Sequence, residues 1–588
     1  MNKSLRHQFL VYRTRVKLMS LRRATYVISF CPGFCRVTLS TISTRAISSY
    51  SHMKRKQTEI KEYPQLKRLR GKMATTQIKL TAQESRLREL LLDVARYIDE
   101  SKEIKEKIEL RFAGGWVRDK LLEIPSHDID TAINAMTGYA FSTKMQEYLK
   151  NEENLKKHAL EAKDLGNLHK ILANPEKSKH LETATTKIFG FDVDFVNLRK
   201  ETYSDDSRNP QMEFGTAEED ALRRDATINA LFYNLRTDLV EDFTSGIEDL
   251  AARRIRTPLE PKTTFTDDPL RVLRLIRFAS RLGFSIDPAS EASMSDPAVM
   301  EALKLKISRE RVGVELEKML KGNDPMGSLQ LIDRLGLYST IFTDPTSQGH
   351  SAPTTANWAI AYNCLHELKS NETPGSIYQS LVRSDDAKYI SWVLAAITPW
   401  SQMPLPQPAK SGGKLPPPLG SMVIREGIKA ENKIYNVVTG SFRHHEEIAA
   451  LKDAIIQKVE YTTHRDKLGM TIRRWDAQGG HWRLQALFAL MVGALKKDSK
   501  SFEDLFSDWQ IFVDHLEAMD IMDAPAERSI IDGKMLSKEL GGVKPGVWMR
   551  PALEVVMEWQ LRNPGITDYK DAIEEVRKRS EELKIPKS

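Results

Sequence analysis

Two carboxylates, Asp128 and Asp130, flank Ile129 in the run His127 to Ile133. If that run is a strand, alternation puts both carboxylates on one face while Ile129 points into a core. Two like charges that close repel, and a bound Mg²⁺ relieves the repulsion while gripping nucleotide phosphates. Taken alone, Asp-x-Asp equally suits a solvated strand edge. Thirteen residues before Asp128 stands Gly115, within Gly114-Gly115-Trp116-Val117-Arg118-Asp119. Glycines at a strand-to-helix turn let phosphate approach backbone amides at a helix N-terminus, with Arg118 nearby to neutralise charge. A strand, a double-glycine phosphate turn and a strand with paired carboxylates together imply a nucleotidyl-transfer site.

The elements around these residues read as a mixed α/β head. A helix is predicted from Ala82 to about Glu106, with Thr81 and Glu84 as a capping box and an apolar stripe of Leu87, Leu90, Leu91, Val94 and Ile98. Ile108 to Ala113 reads as a strand, Gly114-Gly115 as a turn, Trp116 to Leu122 as a short helix and His127 to Ile133 as a second strand. Residues 135–180 are polar and helix-prone. Lys187 to Leu198 reads as one long strand bent at Gly190, and Asp192 and Asp194 alternate on it. A third metal carboxylate and a structural or general-base role both stay open for Asp194. From Gly246 onward the periodicity is almost entirely helical, interrupted by the Pro-, Gly- and Ser-rich stretch Thr398 to Gly420, read as a flexible surface loop.

The stretch Gly114 to Leu122 with His127-Asp128-Ile129-Asp130 resembles the first motif of class II tRNA nucleotidyltransferases, in the polymerase-β-like superfamily. Four further resemblances follow in the family's order. Arg223-Arg224-Asp225-Ala226-Thr227-Ile228-Asn229-Ala230-Leu231 is similar to the second motif. Glu241 to Leu250 is similar to the third, a flexible link between head and neck. Asp267-Asp268-Pro269-Leu270-Arg271 stands where the family reads the base, and Glu310 to Leu316 resembles the fifth motif. Ala226 replaces a common Phe, and Asp267 replaces the usual Glu. The resemblance spans roughly 80–330.

It implies an α+β fold: a polymerase-β-like head with a mixed sheet, then an all-helical neck, body and tail. The corresponding ranges are a leader over 1–75, a head over 80–235, a neck over 236–330 and a helical body and tail over 331–588, with the flexible loop at 398–420. It also implies addition of C, C and A to tRNA. Mg²⁺ in a two-metal arrangement is held by Asp128 and Asp130, CTP and ATP are the substrates, and the tRNA acceptor end and upper half are the partner. Gly114, Gly115, Arg118, Arg224 and Asp225 are then nucleotide-binding.

Placed i,i+3 on a helix, Asp268 and Arg271 share one face. A carboxylate accepts from the amino group of cytosine or adenine, and a guanidinium donates to the neighbouring ring nitrogen. Uracil and guanine would turn a carbonyl toward Asp268, so one pair selects C and A without a template. Read blandly, the two form a surface ion pair. Arg274 and Arg277 continue that face toward a triphosphate. In the C-terminal half, Gly541 to Arg550 resembles the tail of eukaryotic members and offers Lys544 to a tRNA phosphate. Arg465, Lys467, Arg473 and Arg474 form a second basic cluster. For each, a solvated helix end explains the residues as well as an RNA contact does.

The net charge of +8 is unevenly spread. Residues 1–80 hold 18 Lys+Arg against Glu59 and Glu62, an excess of 16, so the remainder carries a net −8. Contact with nucleic acid in the main body therefore needs local basic patches. Before Glu59 there is no acidic residue, while Arg, Lys, Ser and Thr recur through Met1 to Tyr50, the composition of a mitochondrial transit peptide; a basic RNA-binding arm is the competing reading. Met19, Met53 and Met73 offer internal starts, and Lys54-Arg55-Lys56 and Lys67-Arg68-Leu69-Arg70 suit nuclear import. Mitochondrion, cytosol and nucleus are all expected destinations. Cys31, Cys35 and Cys364 have no metal or disulfide spacing, and Ala24 to Leu39, broken by Pro32, Gly33 and Arg36, cannot cross a bilayer. No protein partner is legible. The rival activities are a bacterial-type poly(A) polymerase, which shares the motifs, and a catalytically inactive tRNA-binding or chaperone protein, against which the intact Asp128/Asp130 pair speaks.

The leader reading is tested with a fluorescent reporter. A product begun at Met1 should enter mitochondria and one begun at Met73 should not; import of the Met73 product would remove the reading.

Overall fold

The computed structural model describes residues 78–161, 164–166, 169–171, 183–204, 207–346, 352–408, 410, 413–496 and 502–586. The leader, its internal starts and its basic runs lie outside them. Helix α1 (Ala82–Ser101) begins at the expected capping box: Thr81 Oγ1 accepts the Glu84 N–H at 3.2 Å and Glu84 Oε2 accepts the Thr81 N–H at 2.7 Å. It ends earlier than expected. Lys102 turns left-handed at φ 57°, and Asp99 Oδ1 accepts the Ile108 N–H at 2.8 Å, folding the charged segment back into a strand.

Strand β1 (Leu110–Ala113), helix α2 (Gly115–Leu121) and strand β2 (Asp128–Ile133) follow, then α3 (Gly138–Leu149), α4 (Glu152–Lys157) and the short β3 (His169–Ile171). The single long strand expected over Lys187 to Leu198 is instead a hairpin, β4 (Thr183–Ile188) and β5 (Phe191–Asn197). Phe189 and Gly190 join the two with φ of 51° and 85°, and paired positive φ values match the right-handed twist of a tight hairpin. Apolar residues run straight through that turn, which hid it from periodicity. Strands β6 (Arg199–Ser204) and β7 (Ser207–Phe214) form a separate antiparallel ladder that the sequence reading lacked. After α5 (Ala217–Leu222), strands β8 (Phe232–Asn234) and β9 (Leu239–Glu241) complete a sheet ordered β3-β4-β5-β2-β1-β8-β9. Within it, β2 and β5 pair parallel and the other neighbours antiparallel.

The remainder is helical, as expected, apart from two-residue strands β10 (Arg254–Ile255) and β11 (Ser285–Ile286), which pair parallel. In chain order the helices that matter to the site are α6 (Gly246–Ala252), α7 (Pro261–Asp267), α8 (Leu270–Leu282), α9 (Pro288–Met294), α10 (Pro297–Lys306) and α11 (Arg309–Leu320). Further on, Asn432–Ile456 packs along Trp482–Lys496. One apolar core extends from Ile78 to Leu561, and a second gathers Ile531, Trp548, Val556 and Val576 near the C-terminus. The stretch expected as a flexible loop opens with a 3₁₀ turn, Thr398–Gln402, whose Thr398, Pro399 and Trp400 are buried. Its end enters a short helix, Leu419–Met422.

Helix α11 is fixed to the helices that follow it by a backbone approach. A Cβ on Gly313 would lie 1.9 Å from the Ile428 carbonyl oxygen, so no larger residue fits without moving a peptide. Beside it, the Arg309 guanidinium donates to the carbonyls of Gly427 at 2.5 Å, Thr340 at 3.1 Å and Ile341. Burial pushes the Arg309 pKa down to about 10, with Glu310 opposing.

Gly313→Ala should therefore lose roughly 1–3 kcal/mol in urea unfolding, by overpacking. Gly493→Ala, where the added methyl meets Leu505 at an ordinary 3.8 Å, should be neutral or stabilising because it removes a helix-interior glycine. Equal losses at both positions would remove the close approach as the cause.

Candidate active site

The parallel register of β2 and β5 sets Asp128 opposite Asp192 and Asp130 opposite Asp194. Asp128 and Asp130 are exposed on one face, with Ile129 buried between them, as alternation required. Thr185 Oγ1, one strand further out, donates to Asp194 Oδ1 at 2.6 Å. Asp130 is open to solvent yet crowded by protein. Desolvation leads in raising its pKa, Asp194 and Asp128 add like charge, and Arg224 and Arg199 oppose.

The glycine turn converges on the same edge. Gly114 has φ 69°, and a Cβ there would stand 2.8 Å from Arg224 Nη1, 3.6 Å from Asp130 Oδ2 and 3.7 Å from the Asn229 carbonyl oxygen. Glycine is required both by the dihedral and by that crowding. Arg224 is held by buried Asp220, whose Oδ2 accepts Nη2 at 2.9 Å and Nε at 3.1 Å, and its Nη1 donates to the Asn229 carbonyl at 3.1 Å. Burial works to raise the Asp220 carboxyl, but Arg224 and Arg223 outweigh it and its pKa is lowered.

A hard cation fits this donor set. All the acidic donors are oxygens, they crowd one edge, and their mutual repulsion is what a divalent ion relieves. Among the described residues, no three His, Cys, Asp or Glu side chains converge to hold a metal by themselves. The two exposed carboxylates Asp128 and Asp130 are the number that Mg²⁺ takes, its shell being completed by water and substrate phosphate.

Arg118 lies inward of the turn. It is buried, donating from Nε to Asp119 Oδ1 at 2.7 Å and from Nη1 to Asn229 Oδ1 at 2.5 Å; burial lowers its pKa against the pull of Asp119. The expected phosphate partners on α8 are likewise engaged. Arg274 Nε donates to Asp225 Oδ2 at 2.6 Å and Arg277 Nε to Glu315 Oε2 at 2.7 Å; Arg281, which the sequence reading did not single out, donates from Nη2 to Asp119 Oδ2 at 3.2 Å. The Phe278 ring lies beneath Arg277 and Arg274, 4.5 and 5.5 Å from centroid to guanidinium. Asp225 faces Arg274 and Asn229, whose Nδ2 donates to Oδ1 at 3.1 Å.

The base-reading pair differs from expectation. Asp268 is not on a helix with Arg271: it caps the end of α7 in extended conformation, φ −131° and ψ 94°, and Pro269 separates it from α8. Its Oδ1 accepts the Leu270 N–H at 3.2 Å, and Arg311 Nη2 approaches Oδ2 at 3.3 Å. Arg271, in the first turn of α8, donates to the Arg223 carbonyl at 2.6 Å. The Asp-Pro step explains the difference, because the residue before proline is disfavoured in the helical region. The link expected to be flexible is pinned as well. Asp242 accepts the N–H groups of Thr244, Gly246 and Ile247, and fully buried Asp249 accepts from Thr227, Arg254 and Arg256.

These sites sit within a recognisable whole. The family described as "Poly A polymerase head domain" matches residues 110–256, and that described as "Probable RNA and SrmB- binding site of polymerase A" matches 283–347. A "CCA tRNA nucleotidyltransferase, mitochondrial" of Saccharomyces cerevisiae is 38% identical, covering 84% of this chain and 92% of its own. The chain belongs to the class II CCA-adding tRNA nucleotidyltransferases. Another relative, "Nucleotidyltransferase lcsQ" of Purpureocillium lilacinum, is 50% identical over 87% of this chain and 93% of that one. A solved Thermotoga maritima CCA-adding enzyme complexed with tRNA shares the fold at a TM-score of 0.53 and 18% identity, over 86% of this chain and 99% of the other.

Half of the C-terminal basic cluster is engaged inside the fold. Arg473 Nη1 donates to the carbonyls of Ala524 and Glu527, and Arg465 to those of Met519, Leu561 and Asp520, so both tie loops together. Arg474 is exposed beside Glu447, and Lys544 is exposed on its glycine loop. A cavity of about 600 Å³ opens between α8 and α11 beside Arg277, Arg281 and Lys318, and neither Asp128 nor Asp268 lines it. Asp220, Arg311 and Glu315 were missed as site residues. Asp220 and Glu315 act through arginines already singled out and Arg311 through Asp268, and only a three-dimensional neighbour reveals that.

Burial alone would raise the Asp225 carboxyl, but Arg274, the Asn229 amide and Arg271 outweigh it and hold the pKa at about 2. A folded pKa below the unfolded value means that this pairing stabilises fully above about pH 4 and is lost as pH falls toward about 2. Wild type should therefore lose more stability than Asp225→Asn between about pH 5 and pH 3, read as urea midpoints. Parallel losses would show that the pair does not contribute to acid sensitivity.

Proposed function

We propose that the chain adds C, C and A to the 3′ end of immature or damaged tRNA, using CTP and ATP and no nucleic-acid template. The carrying observation is the convergence of the Asp128/Asp130 edge, the Gly114 turn and Arg224. Support also comes from the relatives, and from solved neighbours with the same fold that are named as complexes with CTP, ATP and tRNA. Poly(A) polymerases share the head family, but the two yeast relatives that match 84% of this chain at 38% identity carry the CCA name.

In this reading Gly114 and Gly115 leave room for the triphosphate and Arg224, held by Asp220, neutralises it. Asp128 and Asp130 would hold Mg²⁺, which when bound favours the ionised 3′-hydroxyl and offsets charge on the leaving pyrophosphate. The 3′ oxygen forms a bond to the α-phosphorus in line with the bridging oxygen, whose bond breaks to release pyrophosphate. Asp194, with Oδ1 occupied by Thr185, takes the hydroxyl proton at Oδ2. Asp268 accepts from the amino group of C or A, and Arg271 donates to the adjoining ring nitrogen. Arg274 and Arg277 reach phosphate by sharing their donors with Asp225 and Glu315, which five N–H groups each allow. Asp225 holds Arg274 in place, and its proposed ribose contact uses its remaining acceptor capacity. Arg118 supports the turn from beneath.

The head, neck, and body-and-tail divisions at 80–235, 236–330 and 331–588 belong to the same proposal, with Lys544 and Arg474 as tRNA contacts and Arg473 in a supporting role. So does delivery to the mitochondrion by the leader, with internal starts supplying cytosol and nucleus. Relatives from two yeasts carry the mitochondrial name.

The test is one incubation of tRNA lacking its CCA end with CTP, ATP or both, read at nucleotide resolution. Wild type should yield CCA, and an A-tract would favour the poly(A) reading. Asp128→Ala and Asp130→Ala should abolish C and A addition alike while tRNA affinity changes by less than about threefold, since phosphate contacts elsewhere supply it. Normal C addition by Asp128→Ala would overturn the catalytic assignment.

A further inference from the structure

We propose that Arg311 is a specificity-determining positioning residue, which holds the Asp268 carboxylate where it can tell an amino group from a carbonyl. The inference rests on the proposed base reading by Asp268 and Arg271. It starts from the place of Asp268 in the chain. Lying between α7 and α8 in extended conformation, the side chain is not oriented by a helix face. Its own segment supplies one tether, the Leu270 N–H on Oδ1. The second tether comes from 43 residues further on, Arg311 on Oδ2 at 3.3 Å. With one donor on each oxygen the carboxylate plane is set, and each oxygen keeps acceptor capacity for a base.

Arg311 is suited to this because its own helix is anchored on two faces. One turn along the same face, Glu315 takes Arg277 at 2.7 Å and Arg274 at 3.7 Å, fastening α11 to α8. On another face, Gly313 seats against the Ile428 carbonyl, and Arg309 clamps three further carbonyls. The guanidinium thus hangs from a fixed frame. Without it, the Asp268 carboxylate is tethered at one oxygen alone, in the field of Arg274 and one turn from Arg271. It would then swing toward those cations and lose the orientation that rejects a carbonyl. Arg311 pairs with Asp268 and with no other carboxylate among the described ion pairs, so its removal leaves the Asp128/Asp130 edge intact.

The experiment is single-nucleotide incorporation of each of the four triphosphates onto tRNA lacking its CCA end, for wild type, Arg311→Ala, Arg311→Lys, Asp268→Ala and the Arg311→Ala/Asp268→Ala double variant. Arg311→Ala should lower the preference for CTP and ATP over UTP and GTP by about tenfold, while the CTP rate falls less than about threefold. Arg311→Lys should restore part of the preference, which a merely structural role would not predict. In the Asp268→Ala background, loss of Arg311 should change selectivity no further. If Asp268→Ala relaxes selectivity while Arg311→Ala and Arg311→Lys both keep the parental preference, the role of Arg311 is overturned and base reading stands. If Asp268→Ala itself keeps the parental preference, the base-reading proposal falls first and takes this inference with it. Should Arg311→Ala fold poorly, Arg311→Lys alone decides: unchanged selectivity overturns the inference and an intermediate loss supports it.

Discussion

Like-charge repulsion on one strand pair is the constraint around which the rest is arranged. Asp128, Asp130, Asp192 and Asp194 are brought level by the parallel register of β2 and β5, and at Asp130 the charges of Asp194 and Asp128 add to desolvation in raising the pKa. The protein's partial answer is local. Arg224 comes close to Asp130, Lys187 reaches Asp192 at 3.4 Å, and Thr185 donates to Asp194. Each answer needs its own support, which is why Asp220 is buried beneath Arg224 and Gly114 cannot carry a side chain. The uncancelled charge is the part of the edge left to a cation and a polyphosphate.

A second ionic system joins the sheet to the helices. Asp119 and Asp225 on one side, and Glu315 on the other, hold Arg281, Arg274 and Arg277 along a single face of α8. These pairs are partly buried, so breaking one partner costs more than the pair contributes. Their arrangement means that a phosphate arriving near α8 competes with carboxylates already in place. The same guanidinium donors that would meet such a phosphate are the ones that seat α8.

Sequence made legible whatever depends on short-range pattern. The Thr81/Glu84 capping box, the alternation around Ile129 and the glycine turn before α2 each follow from a few adjacent residues, and each is present in the structure. Where a turn interrupts a continuous apolar pattern, as at Phe189-Gly190, periodicity cannot see it. Strands β8 and β9, at three residues each, were too short for any period to emerge, and Pro210 within β7 argued against a strand there. Asp268 and Arg271 show a subtler limit: spacing placed them on one helix, while Pro269 forbade it, and that signal was available. Arg465 and Arg473 show the opposite limit. A basic cluster in sequence says nothing of whether its donors are spent on carbonyls inside the fold, and here they are.

The seat of Gly313 on the Ile428 carbonyl has one more consequence. It leaves no side chain between α11 and the Ile428 peptide to absorb a displacement. A shift of the Gly427–Ile428 backbone therefore meets α11 directly, two residues from Arg311, and the same peptides carry the Arg309 clamp. Any load placed on that distant turn is thus delivered to the helix that faces Asp268.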